Sequence, residues 1–270
     1  MLKSYLSKRH PFIKAVLILF LDLTYLATGN KRLILIYSKG KSGTTTLAES
    51  LKRNGVKRVY QFHNLDKAII QERIQKFKKA NSRIPSSLIN GIFLRIALKY
   101  YKGYNEISII TLVRDPIDSL VSSYFQNRQN FYKNSCKPED IIQYLKESDI
   151  SLDKWFSREL IAFFDINPFE KFNVRKGYQI LIVDSNTKLL LLKTAKINSS
   201  ENLISKFLRV EDFKIEKMNE ASTRSDYQLY KEVKENLRMD KLKIENLMKE
   251  KSMIFFSKPE IQKLKSYVKK

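Results

Sequence analysis

Leu33-Ile34-Leu35-Ile36-Tyr37-Ser38-Lys39-Gly40-Lys41-Ser42-Gly43-Thr44-Thr45-Thr46-Leu47 is the stretch that decides the fold of this chain. Its first five residues are a short, continuous apolar run, the mark of a strand buried on both faces. Two of the chain's 7 glycines follow, at positions 40 and 43, and an apolar-periodic segment runs from Leu47 to Leu51. The order is strand, turn, helix. Glycine in the turn permits positive φ and close backbone approach. The unpaired N–H groups of the helix start, the positive end of its dipole, a lysine and three threonine hydroxyls then converge on one spot, which suits a phosphate.

Working outward, Val56 to Phe62 reads as a second strand, followed by helices over Asp66 to Ala80 and Pro85 to Tyr101. Ile107 to Val113 is another buried-type strand, leading through Arg114-Asp115-Pro116 into a helix around Ile117 to Phe125. Pro138 to Lys146 and Leu152 to Phe164 have helical periodicity, with Trp155, Phe156, Leu160 and Phe163 or Phe164 on one face. Tyr178 to Val183 and Lys188 to Leu192 read as strands around the turn Asp184-Ser185-Asn186, and Asn198 to Leu208 and Ser222 to Lys249 as helices. Alternating strands and helices predict an α/β fold with a central, mostly parallel sheet flanked by helices. The predicted organisation is one domain over residues 1–270: an apolar and basic N-terminal helix over 1–30, an α/β core over 33–195 and a helical C-terminal part over 198–270.

Composition narrows the function classes. The chain of 270 residues carries 51 Lys and Arg against 28 Asp and Glu, a net charge of +23. Residues 1–135 hold 24 basic and 7 acidic side chains, so most of the excess lies in that half. An anionic partner is one reading and a lysine-rich composition is the other. The single cysteine, Cys136, excludes a disulfide scaffold and fits a reducing compartment, and two histidines, His10 and His63, leave little for a metal centre. His10 has no assigned role. Within Phe12 to Ala27 the uninterrupted apolar run is only Ala15 to Leu21, against the roughly 20 residues that span a bilayer. This segment reads as a packing helix with surface membrane contact as the minor alternative, and the protein as cytoplasmic, at most peripheral to the inner membrane face. No recognised nucleic-acid motif accompanies the charge.

Gly40-Lys41-Ser42 matches the second half of the nucleoside-triphosphate loop G-x-x-x-x-G-K-[ST], but Leu35 stands inside the strand where the first glycine belongs. Val183-Asp184 is the remaining candidate for a magnesium-holding strand end. Lys41-Ser42-Gly43-Thr44-Thr45 instead resembles the phosphosulfate-binding loop K-[SG]-G-T-[TS] of sulfotransferases, which are P-loop-containing α/β proteins. That family has a second signature, a strand ending in Arg with a Ser eight residues on. Ile109-Ile110-Thr111-Leu112-Val113-Arg114 with Ser122 resembles it. Asp153-Lys154-Trp155-Phe156-Ser157 is similar to the N-K-W-Y-S motif of bacterial sulfotransferase-like capsular polysaccharide synthesis proteins, departing at Asp153 and Phe156. Trp155 reads as a core aromatic or as an acceptor-site residue.

The resemblance implies a transferase that moves a sulfuryl group from 3′-phosphoadenosine 5′-phosphosulfate, PAPS, to a hydroxyl of a glycan in surface or capsular polysaccharide synthesis, without a metal. It implies that Lys41 is catalytic at the leaving phosphate, that Lys41, Ser42, Gly43, Thr44, Thr45 and Thr46 bind the 5′-phosphosulfate, and that Arg114 and Ser122 bind the 3′-phosphate. His63, after the second strand, is the candidate general base, with Glu49 and Asp66 as carboxylate alternatives. The competing readings are a P-loop kinase or NTPase acting on an anionic substrate and a non-catalytic basic module that binds polyanions.

Overall fold

The computed structural model describes residues 32–82, 84–100, 106–131, 137–216 and 225–268. The expected N-terminal helix, His10 and Cys136 lie outside the described residues, as do the first three residues of the helix expected from Ser222.

The chain is an α/β protein. In order it forms β1 (Arg32–Tyr37), α1 (Thr44–Arg53), β2 (Val59–Phe62), α2 (Lys67–Lys79), α3 (Ser86–Tyr100), β3 (Glu106–Val113), α4 (Pro116–Phe131) and α5 (Pro138–Glu147). There follow α6 (Asp153–Phe156), a π-helical turn (Ser157–Ile161), α7 (Ala162–Phe164), the hairpin strands β4 (Tyr178–Ile182) and β5 (Thr187–Lys193), and a 3₁₀ segment (Thr194–Ser199). The C-terminal part contains α8 (Glu201–Leu208), α9 (Tyr227–Asn236), α10 (Lys241–Met248), a second 3₁₀ segment (Lys251–Phe255) and α11 (Lys258–Lys265).

The sheet has the order β2-β1-β3-β5-β4, parallel except for β4, which pairs antiparallel with β5 at the edge. Alternation along the central strands feeds two cores. Leu33, Leu35, Tyr37, Ile109, Val113, Leu189 and Leu191 face one core, and Ile34, Ile36, Ile110, Leu112, Leu190 and Leu192 the other. This is why those strands read as unbroken apolar runs: neither face meets water. The first core also takes in Tyr230, Val233, Leu237, Ile244, Leu247, Phe255, Phe256 and Leu264 from the C-terminal helices.

Two local expectations change. The helix expected over Ser222 to Lys249 is broken at Leu237–Asp240, where Leu237 and Met239 are fully buried and Met239 N donates to Tyr267 O at 2.7 Å. Asp240 then caps a new helix by accepting from Leu242 N and Lys243 N. Burial of two apolar side chains in extended backbone outweighs helix propensity there. The strand expected from Val56 starts only at Val59, because Val56 N is held by Leu51 O in the turn that closes α1.

Candidate functional site

The chain leaves β1 for β2 on one side and returns to β3 on the other, so the carboxyl ends of β1 and β3 flank a topological switch point. Open α/β sheets bind ligands in the crevice at such a point. The segment Ser38–Gly43 leaves β1 there. Lys41 and Gly43 have positive φ, 70° and 85°, while Ser42 between them does not. Alternating φ turns successive N–H groups toward one concavity, which suits an anion. Lys41 is not glycine, so its left-handed backbone carries strain that the surroundings must hold.

Four side chains from distant segments hold it by its carbonyl groups. Arg114 Nη1 donates to Lys41 O at 2.8 Å, Ser119 Oγ to Gly40 O at 3.0 Å and Thr194 Oγ1 to Ser42 O at 2.9 Å. The imidazole Nδ1 of His63 lies 2.9 Å from Ser38 O. Ser42 Oγ is used inside the turn, donating to Lys39 O at 2.9 Å. The carbonyls at positions 38, 40, 41 and 42 are thus engaged from outside the turn. Gly43 precedes α1, and Thr44, Thr45 and Thr46 form the first turn of that helix. Gln61 Nε2 donates to Thr44 Oγ1 at 2.9 Å and to Thr45 Oγ1 at 3.0 Å. Both hydroxyls act as acceptors toward Gln61, Thr44 buried and Thr45 exposed.

The structure therefore brings Lys41, Ser42, Gly43, Thr44, Thr45, Thr46, Arg114 and His63 to one crevice. Ser122 is half-buried on α4, one turn beyond Ser119 on the same face, and it is Ser119 that bonds to the turn. The carboxylate alternatives to His63 have partners of their own. Glu49 pairs with Lys52 at 2.9 Å, and Asp66 caps α2 through Ala68 N and Ile69 N while accepting two bonds from Arg158. Asp184 sits in the β4–β5 turn at the sheet's opposite end, since Thr187 pairs with Ile107 at the start of β3. It is remote from the glycine turn, which removes it as a partner for a loop-bound metal.

Electrostatics sharpens the role of His63. Burial is the main cause that lowers its pKa, the positive charges of Arg73 and Lys41 lower it further, and the bond to Ser38 O opposes them; the result is about 4. At neutral pH the ring is uncharged. Because Ser38 O only accepts, Nδ1 carries the proton and Nε2 presents a lone pair.

Sequence reasoning missed Gln61, Ser119, Thr194 and Glu159. Gln61 offered a signal as a polar residue inside a buried strand. Glu159 offered another, a carboxylate on the apolar face of Trp155 and Leu160. It is fully buried and accepts from Tyr37 OH, from Asn64 Nδ2 at 3.0 Å, from Leu65 N at 2.7 Å and from Asp66 N at 3.3 Å. Trp155 is a core aromatic whose indole Nε1 also donates to His63 O at 2.9 Å. Asp153 explains its departure from asparagine: its two oxygens accept from Lys251 N and Ser252 N, which one amide oxygen would do less well.

No family model, curated protein or solved structure matches this chain. Among the described residues, no helix is long and apolar enough to cross a membrane.

Proposed function

We propose that this chain is a P-loop sulfotransferase that uses PAPS to sulfate a hydroxyl of a glycan, an acceptor of the surface or capsular polysaccharide type, at the cytoplasmic side of the membrane. One observation carries the reading: Arg114 and His63, from the ends of two different strands, both bond to the backbone of the glycine turn. That arrangement matches the demands of a ligand with phosphates at two ends. The donor supplies the sulfuryl group and a phosphate leaving group. The N–H groups of the turn and the hydroxyls of Thr44, Thr45 and Thr46 suit the 5′ end, and the planar guanidinium of Arg114 with Ser122 suits the 3′-phosphate.

Lys41 neutralises charge that builds on the leaving phosphate oxygen, where stabilisation acts on the transition state. His63 accepts the acceptor hydroxyl's proton at Nε2 as that oxygen attacks sulfur and the bridging S–O bond breaks. Burial, with the charges of Arg73 and Lys41 added, makes His63 a weak base, and a bound polyanion offsets those two charges and raises its basicity. The products are a sulfate ester and 3′,5′-diphosphoadenosine.

Thermal shift separates the readings. At equal low concentrations the 3′,5′-diphosphate, without magnesium, is expected to stabilise the chain most, reaching about 2.7 kcal/mol at 100 times its dissociation constant. A larger effect from ATP with magnesium supports the kinase or NTPase reading, and one from a generic polyanion alone supports a non-catalytic binder. With PAPS and an accepted glycan, Lys41→Ala is expected to abolish transfer, whereas Arg114→Ala chiefly weakens the diphosphate. Diphosphate affinity untouched by Arg114→Ala removes that residue from the site.

A further inference from the structure

Residues 63–66 carry the imidazole that faces the glycine turn, and they form no regular element of their own. Their backbone and side-chain groups are taken up by neighbours instead. On the carbonyl side, Trp155 Nε1 binds His63 O and Arg95 Nη1 binds Leu65 O at 2.8 Å. α3 also lies against this loop so closely that a Cβ at Gly91 would stand 2.4 Å from Asn64 O. On the amide side a single group does the work. The Glu159 carboxylate collects Leu65 N, Asp66 N and Asn64 Nδ2, and ties them to the Tyr37 hydroxyl at the end of β1. Glu159 lies in the π-helical turn, and such turns recur at functional sites.

We infer that Glu159 is a positioning residue for His63: its buried carboxylate locks the loop after β2 to the end of β1, and so holds the imidazole against the glycine turn. The inference gives the carboxylate a role in catalysis only if the proposed transfer reaction is right, but the positioning itself is measurable without substrate. Every group that reaches Glu159 is a donor, so an acceptor of this reach is what the site demands. Tyr37 and Asp66 are the ionisable groups beside it, and Arg73 acts on both Glu159 and His63. Glutamine suits the site in part. Its oxygen serves Leu65 N and Asp66 N, and its amide meets Asn64, whose buried Oδ1 has no hydrogen-bond partner and accepts once that side chain flips.

The test is the titration and tautomer of His63 by NMR, with His63→Asn assigning the signal against His10. In the wild type the ring is expected to stay neutral to about pH 4 with the proton on Nδ1. Glu159→Ala is expected to free the loop, raise the His63 pKa by about one unit or more toward its ordinary value and lose the Nδ1–H preference. Burial raises the pKa of Glu159, and removing whatever negative charge it carries cannot raise the pKa of a nearby imidazole, so a rise identifies the freed loop. Glu159→Gln is expected to retain the wild-type tautomer and no raised pKa. A folded Glu159→Ala chain with an unchanged His63 overturns the inference. Should that variant not fold, Glu159→Asp withdraws the carboxylate by one methylene, and an unmoved His63 in it overturns the inference equally. Turnover is a separate readout: where transfer is found, Glu159→Ala is expected to lower kcat more than tenfold while diphosphate affinity holds. An inactive wild type with the expected His63 titration would sink the reaction and leave the positioning intact.

Discussion

His63 shows how one residue's environment converts into a property of the molecule. Its folded pKa of about 4 lies below the ordinary 6.5, so between those values the unfolded chain binds more protons than the native one. Stability then rises with pH through that window and falls on acidification, by at most about 3 kcal/mol from this group. Urea denaturation at pH 4.5 and pH 7 is expected to give a larger difference for the wild type than for His63→Asn. Equal differences would mean that the ring is not held neutral against the turn. Asp66, Asp118 and Glu106 have lowered pKa values and add acid sensitivity in both proteins, so the comparison isolates the histidine.

At the scale of elements, the crevice depends on α3 as much as on the strands that line it. Asn90 Nδ2 donates to Gln61 O at 2.9 Å, and Gly91 lets the helix reach the Asn64 carbonyl. Gly91→Ala drives a methyl group into backbone, so helix or loop must shift, at a cost of about 1–3 kcal/mol. Chemical denaturation is expected to show that loss despite alanine's better helix propensity, and a more stable Ala variant would disprove the close approach. Little in the sequence announces this contact. A glycine inside a helical pattern is a recognisable oddity, but its partner lies 27 positions earlier in a loop. The glycine turn itself was far more legible, since its strand, its two glycines and its helix start are neighbours along the chain.

The whole molecule shares one core between sheet and C-terminal helices. Phe255 packs against Phe156, Phe169 and Phe172, and Lys193 on β5 pairs with Glu260 on α11 at 2.5 Å. Lys263 reaches both Asp115 and Asp118 at the start of α4, and these contacts raise its pKa against burial. A chain ended after Ser199 loses a large block of the first core, and is expected to lack a cooperative urea transition by circular dichroism. Cooperative unfolding of that fragment would show the helices to be a separate unit.

Local order in the chain determined the buried parallel strands, the helix starts and the glycine turn, because period, propensity and turn chemistry act among neighbours. It also marked Arg114 and His63 as strand-end residues facing a crevice. Only tertiary structure decided which side chains carry the strain at Lys41, which partners Glu49 and Asp66 take, and where Glu159 goes. That carboxylate meets Tyr37 across 122 positions and Leu65 across 94. The local pattern shows only that such a glutamate stands on an apolar helix face, not which donors it meets. Its meaning arises when burial removes water and leaves four donors with a single acceptor between them.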